Sequence, residues 1–203
     1  KKLMITLRTI HKTSHMFSKK FFLPAILVLT LILAGCSEKE IIYKSTDSQE
    51  LALTFERPDG WIEQTNPGEG YTDYSIEIPS YGTGDRLKGT VGISRIDASE
   101  EKLLKLEEEF ETFKNLFKSE KEVKFMDEKN TVLLGEPAKE VRVSFKNGED
   151  ASVTEVVAGT ITVYNNKVYV VVYDEEQEDF EKFLPVYERI KNSVKAGAAA
   201  EKK

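Results

Sequence analysis

The sequence predicts an α+β fold in which an antiparallel sheet packs against two amphipathic helices. Several short segments alternate apolar and polar residues between turn residues, the pattern of strands with one buried face. Two longer stretches, 100–118 and 180–194, carry apolar residues three and four positions apart, which is typical of helices that pack one face on a sheet.

The N-terminal region contains the apolar run Phe21 to Ala34, which follows Lys19 and Lys20. Its 14 residues fall short of the ~20 that a membrane-spanning helix needs, so the run is typical of a secretory signal. We therefore expect residues 1–35 to be a signal peptide that is removed. A start at Met16 would give a compact signal, and residues 1–15 would then not be translated.

The apolar run ends at Leu33-Ala34-Gly35-Cys36, which resembles the lipobox of bacterial lipoproteins. This resemblance implies a diacylglyceryl thioether on Cys36 as the new N-terminus, because the small residues before it suit a peptidase cleft. The expected location is the cell membrane, lipid-anchored on the extracytoplasmic face, since two lipid chains hold a protein where one does not. The alternative is an uncleaved signal anchor in which Cys36 is a free thiol.

Charge and composition limit the function of the part that follows. Residues 1–35 hold six of the 29 basic side chains and none of the 35 acidic ones, so residues 36–203 sum to 23 − 35 = −12. This charge disfavours nucleic acid and anionic headgroups and leaves the lipid on Cys36 as the membrane contact. Both histidines, His11 and His15, precede Cys36. We therefore predict no catalytic residues, no metal site, no cofactor and no enzymatic activity.

The predicted layout has three parts after the signal. Residues 36–48 form a lipidated tether, 49–195 a single domain, and 196–203 a flexible tail. An alternative for the tether is that Ile41, Ile42 and Tyr43 pack on the domain as a short strand.

Three strands are expected in the first half of the domain, at 51–55, 71–78 and 89–96. Turns are predicted at Pro58-Asp59-Gly60 and at Asn66-Pro67-Gly68. We assign Trp61, the only tryptophan, to the core beneath a helix, with an exposed interface position as the alternative.

The loop from Ser80 to Arg86 lacks the glycine spacing of a phosphate-binding motif. It is interpreted either as a connection between strands or as a ligand or partner loop. The candidate residues in that second case are Tyr81, Gly82, Gly84, Asp85 and Arg86.

The first helix is predicted to begin at the capping box Asp97-Ala98-Ser99-Glu100 and to extend to Lys118. Its inward stripe is Leu103, Leu106, Phe110, Phe113 and Phe117. We interpret Glu107 to Glu109 as a solvated face and not as an acid/base pair or a calcium site.

The second half predicts strands at 123–125, 132–134, 141–145, 153–163 and 168–173. A turn is expected at 127–130, a type I′ hairpin at Asn147-Gly148, a bulge or bend at Gly159 and a turn at Asn165-Asn166. Val170 to Val172 are apolar on both faces, which predicts a central strand.

The last helix is predicted over 180–194, directly after the acidic segment 174–179. Its inward stripe is Phe183, Tyr187, Ile190 and Val194, and Pro185 should kink or restart it. The acidic segment lacks the ligand spacing of a calcium loop and matches the positive end of a helix instead.

Two segments are similar to the PsbP-like family: Phe55 to Trp61, with its proline, glycine and tryptophan, and Phe180 to Ser193, with its mid-helix proline and Asn-Ser end. The resemblance covers residues 50–195 and implies an antiparallel sheet with helices on both faces, an α/β/α sandwich. Relatives include lipoproteins of unknown role and non-catalytic assembly factors. No family ligand residue carries over, and photosystem binding is not implied.

These features are compatible with three functions. The leading hypothesis is a membrane-anchored extracytoplasmic interaction or assembly module with an unidentified protein partner. The second is a protein that binds a small or cationic ligand through Tyr71, Tyr81 and Asp85. The third is a hydrolase that uses two carboxylates across a cleft.

Overall fold

The computed structural model describes residues 40–79, 89–98, 103–148 and 152–197. Within these ranges the chain forms ten strands and two helices. In chain order they are β1 (Tyr43–Ser48), β2 (Leu53–Pro58), β3 (Ile62–Gly68), β4 (Tyr71–Glu77), β5 (Thr90–Asp97), α1 (Leu106–Asn115), β6 (Lys121–Leu133), β7 (Glu136–Lys146), β8 (Thr154–Tyr164), β9 (Lys167–Glu176), α2 (Gln177–Ser193) and β10 (Lys195–Ala196). Neither helix in these ranges has the length and apolar character needed to cross a bilayer.

Seven strands form one sheet in the order β3-β4-β5-β9-β8-β7-β6, and every neighbouring pair is antiparallel. The predicted α+β class with an antiparallel sheet is confirmed. Strand β9 lies in the middle of the order, as the apolar run Val170 to Val172 predicted. A separate three-stranded sheet has the order β1-β2-β10.

The core consists of two apolar clusters, and alternate residues of β9 belong to each. Tyr169, Val171 and Tyr173 pack with α2 in the larger cluster. Val168 and Val170 pack with α1 in the smaller cluster. Successive side chains of a strand point to opposite faces, so the sheet is apolar on both faces at its centre.

Trp61 belongs to the larger cluster, which confirms its predicted place in the core. Its side chain is 7% exposed and meets the Phe183 ring of α2 edge to face at 6.4 Å. The predicted stripe of α2, from Phe183 to Val194, is likewise buried.

The predicted tether is wrong over 43–48, which form strand β1. This strand pairs with β2 from Tyr43↔Pro58 to Ser48↔Leu53. Arg57 fixes the pair, because its Nε donates to Thr46 Oγ1 at 2.9 Å and its Nη2 to Glu63 Oε1 of β3 at 2.6 Å. The alternative for Ile41 to Tyr43 is confirmed in part, because Tyr43 begins β1 and both Ile41 and Tyr43 pack against the larger core cluster, whereas Ile42 is exposed.

The predicted tail is wrong at its start, because Ala196 belongs to β10 and pairs with Leu53. The amide of Gly197 also donates to the carbonyl of Ala52 at 2.9 Å. Among the described residues, the small sheet therefore includes residues on both sides of the predicted bounds 49 and 195.

Helix α1 is shorter than predicted at its N-terminal end. It begins at Leu106, and the preceding Lys105 is extended and makes no side-chain capping bond. Asp97 is the last residue of β5, where it forms ion pairs with Arg95 and Lys167 instead of capping a helix. Ser99 and Glu100 lie outside the described residues. Leu103 is 77% exposed, whereas Phe110, Phe113 and Phe117 are buried as predicted.

Three predicted turns lie elsewhere. Asn66 to Gly68 belong to β3, and the turn is Glu69-Gly70. Residues 127–130 are part of the single strand β6. The pairing of β6 with β7 shifts register between Lys121 and Lys124 and again between Met126 and Lys129. The connection after Asn147-Gly148 continues to Val153, because Lys146 pairs with Thr154. The two-residue hairpin is Asn165-Asn166, where both φ angles are positive, at 50° and 53°.

Gly159 makes no bulge, since it pairs in register with Val141 on one side and Val172 on the other. A Cβ at this position would collide with the Phe113 ring of α1. The glycine therefore provides space for an aromatic ring on the sheet surface.

The last helix, α2, starts three residues before the predicted position and includes Glu178 and Asp179 in its first turn. This placement matches the interpretation that the acidic segment favours the positive end of the helix dipole. The helix runs through Pro185 without interruption, so the predicted restart is wrong.

Candidate functional site

Most site residues predicted from the sequence lie outside the described ranges. These are Cys36 and the loop residues Tyr81, Gly82, Gly84, Asp85 and Arg86. Tyr71, the remaining ligand candidate, is half-buried in β4, where its ring lies against Gly68 of β3. Across 40–79, 89–98, 103–148 and 152–197, no group of three His, Cys, Asp or Glu side chains is arranged to hold a metal ion.

An open groove of about 540 Å³ lies where the C-terminal end of α2 meets the three-stranded sheet. Its volume is within the range of ligand-binding clefts. It is lined by Ser45 of β1, Thr54, Phe55 and Glu56 of β2, Arg189, Asn192 and Ser193 of α2, and Lys195 of β10. We call it the α2 groove.

Strand pairing explains why these side chains share one surface. Ser45 lies directly opposite Glu56, and Thr54 lies opposite Lys195, so each pair points to the same face of the sheet. Their neighbours Leu53 and Phe55 point into the larger core cluster. The groove is therefore formed by the outward face of the small sheet.

Helix α2 forms the other wall, and the hydroxyl of its last residue joins it to the backbone of β2. Strand β10 pairs with β2 only at Leu53 and Thr54. At the next outward position, Ser193 Oγ accepts the amide hydrogen of Glu56 at 2.7 Å and itself donates to the Ile190 carbonyl at 2.7 Å. The helix end thus replaces the missing strand pairing and leaves Asn192 beside the groove.

Arg189 is the most constrained charged side chain of the groove. Its guanidinium lies over the Tyr43 ring, 3.8 Å from the ring centroid. Its Nε also donates to Glu56 Oε2 at 2.9 Å. Burial raises the pKa of the Tyr43 hydroxyl, the positive charge of Arg189 opposes this rise, and Glu56 adds to it. Tyr43 therefore stays neutral at physiological pH.

The groove carries more positive than negative charge. Glu56 is paired with Arg189, whereas Lys195 forms no ion pair with any residue in the described ranges. Two cations thus accompany one carboxylate, on a chain whose residues 36–203 sum to −12.

A buried polar network holds α2 in place below the groove. Lys191 Nζ lies 2.6 Å from Glu140 Oε2 of β7, and the two side chains are 4% and 1% exposed. Thr160 donates to the same carboxylate oxygen at 3.1 Å and also bonds the Tyr187 hydroxyl at 2.8 Å. This network fixes the rotation of the helix that carries Arg189, Asn192 and Ser193.

A second, smaller cavity of about 160 Å³ lies between α1 and the sheet. Phe113, Ile161, Val168 and Val170 supply its apolar lining, with Glu109 and Thr112 from the helix. It contains too few polar groups to orient a ligand.

The α2 groove is suited to binding through hydrogen bonds and charge. Its hydroxyl groups come from Ser45, Thr54 and Ser193, and Ser193 already accepts one hydrogen bond and donates another. None of its side chains is a histidine or a cysteine, the usual bases and nucleophiles of hydrolytic sites.

Sequence reasoning missed this groove because it assigned Tyr43 and Ser45 to a tether and Lys195 to the end of the domain. The one available signal was the alternation of outward polar residues Thr54 and Glu56 between buried Leu53, Phe55 and Arg57. That alternation identified an outward face, although not the helix end beside it.

Comparison with known proteins supports the fold class. No family profile matches the chain, and no curated protein matches it in sequence. Among solved structures, cyanobacterial PsbP (CyanoP) from Synechocystis sp. PCC 6803 has a TM-score of 0.52 at 11% identity, covering 81% of this chain and 98% of its own. The Ran-binding protein Mog1p of Saccharomyces cerevisiae has a TM-score of 0.52 at 11% identity, covering 79% and 99%. The chain therefore has a fold similar to that of PsbP and Mog1.

Proposed function

We propose that this protein is a lipid-anchored, extracytoplasmic interaction module that binds another protein through the α2 groove and has no catalytic activity. The observation that carries the proposal is the groove itself, where Arg189 is fixed in position beside the polar side chains Ser45, Thr54 and Asn192. The lipobox-like sequence before Cys36 supports the anchor.

We further infer the complete sandwich architecture that the PsbP-like resemblance implied. In this arrangement α1 and α2 cover opposite faces of the large sheet. The support is that α1 packs on Val168 and Val170, whereas α2 packs with their neighbours Tyr169 and Val171.

The position of β1 links the proposed anchor to the groove. Seven residues lead from Cys36 to Tyr43 at the start of β1, so the chain between them spans at most about 25 Å. A protein anchored at Cys36 would thus hold the groove close to the bilayer. Its partner would then be a protein of the membrane or of the membrane surface.

The anchor is tested by labelling cells with a radioactive fatty acid and separating membrane from soluble protein. We expect the native chain to carry label and to sediment with membranes, and Cys36→Ala to lose both properties. Cys36→Ala should keep the folded domain, because Cys36 precedes the first residue of β1. Label on the variant, or an unlabelled native chain, would contradict the lipid anchor.

A further inference from the structure

We infer that the α2 groove binds an acidic segment of its protein partner. This inference rests on the proposed function and names the chemistry of the ligand at the same site. It depends on the charges, the fixed geometry and the exposure of the groove side chains.

The charge of the groove is opposite to that of the chain. Arg189 and Lys195 supply two positive charges against the single carboxylate of Glu56. Residues 36–203 as a whole sum to −12. An acidic partner is repelled by most of this protein and attracted here, which orients its approach.

The geometry favours a carboxylate-bearing ligand. The Nε of Arg189 donates a hydrogen bond to Glu56, and one face of its guanidinium lies over the Tyr43 ring. The side chain is therefore held in place before a ligand arrives. A guanidinium that is already fixed loses less entropy when it binds a carboxylate. Lys195, directly opposite Thr54, supplies a second cation at the other wall.

An extended peptide suits the exposure of this surface. Arg189 and Glu56 remain 53% and 44% exposed, so the groove is open along the outward face of the sheet. Asn192, Ser45 and Thr54 can exchange hydrogen bonds with a peptide backbone. Anionic lipid is disfavoured, because only two cations would face the membrane surface while the remainder of the chain is repelled by it.

The inference is tested with purified full-length lipoprotein in nanodiscs of neutral phosphatidylcholine, with octaglutamate as the probe and octalysine as its opposite. We expect octaglutamate to bind and octalysine not to bind, with affinity falling as salt rises. Lys195→Glu should weaken octaglutamate binding about three- to tenfold, since each exposed charge contact is modest and the reversal adds repulsion.

Lys118→Glu is the matched control, because Lys118 is also exposed and lies outside the groove. It should leave octaglutamate affinity within about twofold, since separated exposed charges are screened. Equal effects of the two variants would show a nonspecific charge response and would overturn the inference. Thermal melts of both variants verify that they are folded.

Two further outcomes separate this inference from the proposed function. If the protein bound anionic vesicles more strongly than octaglutamate, and Lys195→Glu abolished that binding, the groove would be a lipid site and the inference of an acidic peptide ligand would be overturned. Absence of octaglutamate binding, with a partner still cross-linked at the groove in membranes, would overturn the acidic ligand and leave the interaction module standing.

Discussion

Glu140 and Lys191 form the most deeply buried ion pair among the described residues, between β7 and α2. The pair is 2.6 Å apart, and Thr160 and Lys129 also contact the carboxylate. Lys191 Nζ also lies 2.7 Å from Glu188 Oε2 of the same helix, so Lys191 has one partner across the β7–α2 contact and one within α2. Loss of Glu140 would leave the buried Lys191 with only the half-buried Glu188, which costs stability.

We predict that Glu140→Gln lowers the free energy of unfolding by about 1.5–3 kcal/mol in urea denaturation, because Lys191 loses its buried carboxylate and keeps only Glu188. Lys129→Met removes only the exposed partner of the same carboxylate and is the matched control, with a loss below about 1 kcal/mol. Equal losses for the two variants would contradict the prediction that the buried contact of Glu140 with Lys191 stabilises the fold more than its exposed contact with Lys129.

The same carboxylate predicts how stability depends on pH. Burial alone would raise the pKa of Glu140, but hydrogen bonds and charges from Lys191 and Lys129 outweigh burial and lower it below the ordinary value. A lowered folded pKa means that the stabilisation is present above the unfolded pKa of about 4.3 and is lost as pH falls through the folded pKa. Unfolding free energy should thus decline below about pH 4 less steeply in Glu140→Gln than in the native protein. Parallel curves would contradict this assignment.

At the scale of elements, α1 is fixed to the sheet by a ring that lies on a glycine. Phe113 occupies the position that a Cβ of Gly159 would take. Phe113 also meets Phe117 edge to face at 5.3 Å, so any displacement of the first ring disturbs the second. The close packing of α1 on the sheet therefore depends on the lack of a Cβ atom at Gly159.

We predict that Gly159→Ala destabilises the protein by about 1–3 kcal/mol, because the added methyl group forces Phe113 and α1 away from the sheet. Gly92→Ala is the matched control in strand β5, where the nearest atom to a new Cβ is the Tyr74 carbonyl oxygen at 3.9 Å. That change should be neutral or stabilising by about 0.5–1 kcal/mol, since glycine is unfavourable inside a strand.

Thermal or urea denaturation of the two glycine variants gives the comparison. Combining Gly159→Ala with Phe113→Leu should recover part of the loss, because the smaller side chain makes room for the methyl group. If Gly159→Ala were as harmless as Gly92→Ala, the proposed contact between ring and glycine would be wrong.

At the scale of the whole molecule, the sequence was most informative where burial alone decides the structure. The alternation of apolar and polar residues correctly predicted that the strand residues Val91, Ile93, Val141 and Val143 are buried. The 3.6-residue period did the same for the helix residues Phe110, Phe183 and Tyr187. The type I′ rule failed at Asn147-Gly148 and held at Asn165-Asn166, because pairing along the whole hairpin sets the register and overrides local turn preference. The sequence predicts a strand near β1 only as an alternative to a tether, because the alternation of buried and exposed residues in β1 is weak, although β1 pairs with the next strand, β2, as a hairpin.

The candidate site was less predictable than the core. Ser45, Glu56, Arg189 and Lys195 come from four separate elements, and none of them stands in a local motif. Ser45 reaches Glu56 through a hairpin, whereas Lys195 reaches β2 through the pairing of β2 with β10, a long-range contact that a local pattern cannot encode.

Because β1 and β10 complete the small sheet, the fragment 43–197 should be more stable than the fragment 49–195. The shorter fragment loses the β1 pairing and the hydrogen bond from Arg57 to Thr46. We expect one cooperative urea transition for 43–197. For 49–195 we expect a lower urea midpoint and an unfolding free energy that is lower by at least ~1 kcal/mol. Equal midpoints would show that the small sheet is not part of the folded unit.

Site-specific photo-cross-linking in native membranes tests whether the α2 groove is the partner-binding surface of a membrane-anchored protein. A photoreactive residue replaces Ser45 in the groove wall or, as the control, Lys118 on the surface outside it. We predict a discrete cross-linked product from position 45 that disappears in Lys195→Glu and weakens in Cys36→Ala, with none from position 118. The same products from both positions, or a product at position 45 that is indifferent to Lys195→Glu, would contradict the account.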